Sequence, residues 1–264
     1  AVQVNLQANI ATAITGTFAD LENLIGSPYA DMLMGTDAAD NFQVTGPNAG
    51  AVGAYTFTAF EHLDGVAGDD TLSFAAYTSA RDVRLTGLGA MDGFNGTDSS
   101  LGVGFFNFNT LTGSAATFDT LTGINGDADW LLGAANWRYT STNALAFSAF
   151  ELLTGGTGSD TFNINADQAN ATLRGLGGDD RFIFADAVIL RGRIPALDGG
   201  LGADSLDYRA FTTTIVDVDI ASGRAMNINN NANGGFRGIE KVLGGQNNVI
   251  YGDAGDNILS GGSG

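Results

Sequence analysis

The residues able to do chemistry in this 264-residue chain are almost all carboxylates. One histidine, His62, one lysine, Lys241, and no cysteine leave the usual nucleophile–base pairs nearly unbuildable. His62 itself lies in the segment FTAFEHLDG, whose neighbours follow a repeated pattern, so it reads as a structural or surface side chain. Paired acids can hydrolyse glycosides, and two pairs exist, Asp69/Asp70 and Asp179/Asp180. Both sit in glycine-rich turns that explain them without a substrate. Trp130 and Trp137 could stack on sugar rings, but in a repetitive chain such residues more often pack a core. The 29 acids against 11 Lys and Arg give a net charge of −18. That balance repels nucleic acid and anionic membranes, which need basic stripes, and it invites a divalent cation. The competing reading is that Asp fills turns and keeps the surface soluble.

Composition bounds what can position these acids. An apolar content of 44% argues for a folded core despite the charge. No run of 18 apolar residues occurs, so no membrane insertion is expected. No charged and apolar leader opens the chain. The last residues, Gly261-Gly262-Ser263-Gly264, fall inside a glycine-rich motif, which suggests a segment of something longer.

Two repeats organise the rest. The first reads Phe-x-x-apolar-acid/amide, then an apolar residue and a Gly. Its copies start at Phe18, Phe57, Phe105, Phe147 and Phe236, separated by 39, 48, 42 and 89 residues. The third copy carries Asn109 in place of the acid. The second repeat, G-G-x-G-x-D-x-apolar, runs without error from Gly155 to Phe162 and from Gly199 to Leu206. Near matches span Gly65–Leu72 and Gly175–Phe182, and degenerate tandem pairs occupy Gly26–Gln43 and Leu243–Ser260. A longer period is also present: Val2-x-Val4-x-Leu6 recurs as Val216-x-Val218-x-Ile220, and Phe18 and Gly26 recur as Phe236 and Gly244. Residues 1–214 therefore read as one complete super-repeat and 215–264 as the start of the next.

These nonapeptides resemble the RTX, or haemolysin-type, calcium-binding repeats of secreted bacterial proteins, and the wider arrangement resembles the long internal repeats of giant bacterial surface proteins. The resemblance implies Ca²⁺ held by the turn aspartates and preceding glycine carbonyls. Asp160, Asp180 and Asp204 carry the least eroded motifs, with Asp31, Asp40 and Asp70 next. Ca²⁺ takes 6–8 oxygens, so neighbouring turns must share an ion. The sequence departs from the family in that most copies stand alone, so turn chemistry remains the other reading of the same aspartates.

Short alternating runs at Val2/Val4/Leu6, Val83/Leu85, Phe182/Phe184 and Val216/Val218/Ile220 mark strands, and no amphipathic helix emerges, Ala144–Leu153 being the nearest. The expected fold is all-β, a parallel β-solenoid of the β-helix or β-roll kind with Gly/Asp turns; a β-sandwich is the alternative. The five motif Phe should be buried, while Glu22, Glu61, Glu151 and Glu240 face solvent or cap a turn. The two sit four residues apart, so opposite fates require a bend between them. The expected function is a non-catalytic structural segment of a large secreted or cell-surface bacterial protein, as a filament, sheath, surface layer or stalk. Its expected partners are further copies of itself. A calcium-stiffened adhesin binding glycans or cells is the alternative, and a β-helical polysaccharide lyase or epimerase a third, on fold analogy alone.

Overall fold

Alternating apolar residues between Gly, Asn and Asp clusters form strands of two to seven residues, and no α-helix occurs among the described residues. The computed structural model describes residues 1–12, 14–135 and 137–262; Ser263 and Gly264 of the terminal glycine-rich motif lie outside them. The chain is all-β, and its sheets are mostly parallel. It divides into two compact units, Ala1–Leu121 with Thr142–Phe150, and Thr122–Ser141 with Glu151–Gly264.

In the first unit, Gln3–Asn5, Met32–Met34, His62–Asp64 and Gly104–Phe108 pair in parallel and in register, aligning Val4, Leu33, Leu63 and Phe105. A second parallel set, Asn41–Gly46, Thr71–Ser73, Thr110–Thr112 and Ala144–Ser148, aligns Phe42, Leu72, Leu111 and Phe147. All eight side chains are buried. Antiparallel strands interrupt both sets. Ala49–Val52 and Tyr55–Thr58 form a hairpin carrying Asn23–Ile25, and Phe94–Thr97 joins Gly104–Phe108 to Asp82–Leu88.

The second unit repeats the scheme. Leu153, Leu173, Leu197 and Phe236 align in one parallel set. Trp130, Phe162, Phe182, Leu206, Val242 and Leu259 align in the other. The rings of Trp130 and Phe162 stack with centroids 5.5 Å apart, and those of Phe162 and Phe182 with centroids 5.0 Å apart. A third small sheet places Ile215–Asp219 between Arg224–Ala225 and Asn247–Tyr251. Parallel strands with a filled interior bury their inward faces almost without exception, which is the pattern seen.

The bend expected in the Phe motif is present in every copy. The residue two after the Phe lies in the left-handed region: Asp20, Ala59, Asn107, Ala149 and Gly238, with φ from 56° to 61°. The chain turns there, so Phe and Glu part company. Phe57, Phe105, Phe147 and Phe236 are buried as expected, whereas Phe18 is only half-buried. The segment Ala144–Leu153 is strand, not helix: Ala144–Ser148, the bend at Ala149, then Leu152–Thr154.

Candidate functional site

Each Gly/Asp turn is built around its own glycine. In three of the turns the carboxylate folds back over the Gly and accepts a main-chain N–H just after it: Ser27 to Asp31, Thr36 to Asp40 (2.6 Å) and Gly156 to Asp160 (2.8 Å). A methyl on that glycine would lie 2.6 Å from the Asp31 carboxylate at Gly26, 2.6 Å from Asp40 at Gly35 and 2.6 Å from Asp70 at Gly65. At Gly199 it would lie 2.5 Å from Asp204, and at Gly155 and Gly175 it would collide with Asp160 and Asp180. The spacing of five from Gly to Asp is thus a packing requirement.

Neighbouring turns are then joined through the same carboxylates. In the second unit the Asp160 N–H donates to Asp180 (2.8 Å), the Asp180 N–H to Asp204 (2.7 Å), and the Asp204 N–H to Glu240 (2.9 Å). The three foremost candidates therefore stand in one row. In the first unit the Asp40 N–H donates to Asp70 (2.8 Å), the Asp70 N–H to Asn109 (3.2 Å), and the Asp31 N–H to Glu61 (2.9 Å). Glu61, Asn109 and Glu240 occupy one position of the Phe motif, so its acid or amide serves as a side-chain acceptor for an earlier turn. Asn109 can replace Glu because an amide oxygen accepts as well.

Burial sets the electrostatics. Asp31, Asp70, Asp160, Asp180 and Asp204 are at most 1% exposed, while Asp40 is half-buried. Desolvation pushes Asp70 and Asp180 up to about 7, the Asp40 and Asp160 N–H bonds opposing it and neighbouring aspartates adding to it. Desolvation likewise raises Asp160 and Asp204 to about 6. Asp31 differs: burial would raise it, but N–H donors from Ser27 and Val2 outweigh that and hold it below the usual carboxylate range.

Calcium needs at least six oxygens. Each turn presents one carboxylate already accepting N–H groups. The methyl placed on Gly65, Gly175 or Gly199 would also meet a main-chain carbonyl, of Asn107, Gly199 or Gly238 respectively. One oxygen of each of Asp70, Asp180 and Asp204 is buried without a hydrogen-bond partner and lies against its turn glycine. Among the described residues no three His, Asp or Glu side chains gather as a metal site.

Other candidates separate. His62 packs its ring on Phe106 with centroids 4.0 Å apart, and burial lowers its pKa against the pull of Asp64. Trp130 is fully buried and cannot meet a sugar; half-buried Trp137 donates to the Gly133 carbonyl at 3.1 Å. Asp69 and Asp179 are exposed while Asp70 and Asp180 are buried, so neither pair faces one cleft.

Sequence reasoning missed Asp119, which accepts the Ser114 N–H at 2.6 Å and the Arg81 N–H. Its turn holds one extra residue after Gly113, which breaks the motif. It also missed the buried pair of Arg81 with Asp98, 17 residues apart and outside any repeat. Compared with protein-family models, with characterised proteins and with solved structures, the chain yields no match to any of them.

Proposed function

We propose that this chain is a non-catalytic structural repeat segment of a large secreted or cell-surface bacterial protein, folded as a β-solenoid and serving in a filament, sheath, surface layer or stalk. The row from Asp160 through Asp180 and Asp204 to Glu240 carries the reading. One oxygen of each acceptor in the row is taken up by the main chain of a neighbouring turn, so the most chemically capable groups tie one turn to the next. The in-register apolar columns beneath them supply the cohesion.

The calcium-stiffened adhesin is a second reading, favoured by the unpartnered oxygens of Asp70, Asp180 and Asp204. A glycan array probed with the full chain, in calcium and in chelator, separates the two. No retained glycan in either condition is the expected result. Calcium-dependent capture of any glycan class would move the assignment to adhesion, and cleavage of the arrayed glycans would move it to an enzyme.

A further inference from the structure

The chain contains two segments of one pattern in different surroundings, and their burial differs. Residues 1–14 correspond to 215–228, and 18–26 to 236–244. The backbones agree at their special positions: Asn9 and Gly223 have φ of 53° and 63°, Asp20 and Gly238 have φ of 56° and 61°. One pairing agrees too, Val4 facing Ala11 in an antiparallel pair as Val218 faces Ala225.

Burial does not agree. Ile228 is 0% exposed and Ile14 is 50% exposed; Ile239 is 3% exposed and Leu21 is 40% exposed. Ile25 is 75% exposed where its counterpart Leu243 is half-buried. In the first copy Val2, Val4, Ile14, Phe18 and Leu21 line an open groove of roughly 200 Å³. Their counterparts Val216, Val218, Ile228, Phe236 and Ile239 are all buried.

The structure also shows what buries the second copy. Leu190 bridges to Ile228, Leu197 pairs with Phe236, and Leu206 pairs with Val242. The Asp204 carbonyl accepts the N–H groups of Glu240 (3.1 Å) and Lys241 (3.0 Å), and the Tyr208 hydroxyl donates to the Met226 carbonyl (3.2 Å). Among the described residues Asn23–Ile25, the counterpart of Lys241–Leu243, has a paired strand on one side only. Glu22, the counterpart of Glu240, is exposed.

We propose that residues 1–26 form a docking face for a second copy of this sequence, and that its occupant is the segment corresponding to Leu190–Phe211 of a preceding super-repeat. Glu22 accepts the N–H of that segment's Asp204, Asn23 donates to its carbonyl, and Ile14, Phe18 and Leu21 close over its leucines. Residues 215–264 fill this seat within the present chain, so each super-repeat begins with the module that covers the one before it. The inference rests on the structural-repeat reading, yet it is refutable apart from it, because the glycan array is blind to how the copies join.

The test is a tandem chain in which residues 1–214 precede the whole 1–264 sequence. Amide hydrogen exchange is compared at Glu22 and Asn23 of the single chain and at the same residues of the tandem's second copy. We expect exchange slowed by about 100-fold or more in the tandem, approaching that of Glu240 and Lys241. Equal rates in the two chains would overturn the proposal. A second reading uses Leu21→Cys, the chain having no other cysteine. Its thiol should react about 10-fold slower in the second copy of the tandem than in the single chain, and unchanged reactivity would refute burial of this face.

Discussion

If the turn glycines are needed for space, Gly65→Ala should destabilise the chain while Gly87→Ala should not. Neither residue has a positive φ, so backbone strain is the same in both. The new methyl at Gly65 would lie 2.6 Å from the Asn107 carbonyl oxygen, 2.6 Å from an Asp70 carboxylate oxygen and 2.9 Å from Asp70 Cβ. None of these is the loose end of a flexible side chain. Asn107 is main chain at a left-handed corner, and Asp70 is pinned because its other oxygen accepts the Asp40 N–H at 2.8 Å. Relief means separating two turns or breaking that bond. Overpacking costs about 1–3 kcal/mol, and two immobile obstacles place Gly65→Ala near the top, at about 3 kcal/mol. For a chain of this size that is a fall in Tm of roughly 6–12 °C. At Gly87 nothing lies within 4 Å of the methyl, so lost unfolded-state freedom dominates and Ala should stabilise by about 0.5 kcal/mol. Calorimetric melts of both variants decide the matter. Shifts of the same sign, within about 2 °C of each other, would show that the Gly-to-Asp spacing is not a packing requirement.

Three further outcomes are expected. Asp70, Asp180, Asp160 and Asp204 hold protons more tightly when folded, at about 7, 7, 6 and 6, than the ordinary value of 3.8. Between 3.8 and about 7 the folded state therefore binds more protons, so stability falls as pH rises through that window; Tm in chelator should be higher at about pH 5 than at about pH 8, and the reverse order would contradict the burial of these acids. Chelator added at neutral pH should move the midpoint by less than about 2 °C, the limit expected if no ion is bound to the folded state; a larger fall would restore the calcium reading of Asp160, Asp180 and Asp204. Asp98→Ala should cost about 3–5 kcal/mol in urea unfolding, because it leaves buried Arg81 without its carboxylate, and a loss under about 1 kcal/mol would mean that water reaches the guanidinium.

Much of this architecture was legible because it is periodic. The opposite fates of Phe and Glu four residues apart demanded a bend, and the left-handed residue sits between them in all five copies. Even the half-burial of Phe18 follows the same logic, since it lies on the face that the second copy buries at Phe236. What escaped was aperiodic. The hairpin Ala49–Val52 with Tyr55–Thr58 turns on Gly53, a residue type that also closes every Gly/Asp turn, so nothing local marks it as antiparallel. Asp119 was lost to one inserted residue. The acceptor role of Glu61, Asn109 and Glu240 was left open between solvent and cap, because their donors stand 30 or more residues earlier in the chain.

The aspartate rows also carry a direction. Within the rows Asp40–Asp70–Asn109 and Asp160–Asp180–Asp204–Glu240, each aspartate N–H goes to the side chain of the next member in sequence, while Asp31 reaches past Asp40 to Glu61. Each row ends at the acid or amide of a Phe motif, whose own N–H turns back to the carbonyl of the aspartate before it, Asn109 to Asp70 at 3.0 Å and Glu240 to Asp204 at 3.1 Å. The two ends are therefore chemically different, one an aspartate that leads the row and the other a Phe-motif acid or amide that closes it. A contact between copies made through unlike ends would be heterologous, whereas one between like ends would be isologous. Polarity written into single hydrogen bonds thus gives each row a first and a last member that cannot be exchanged.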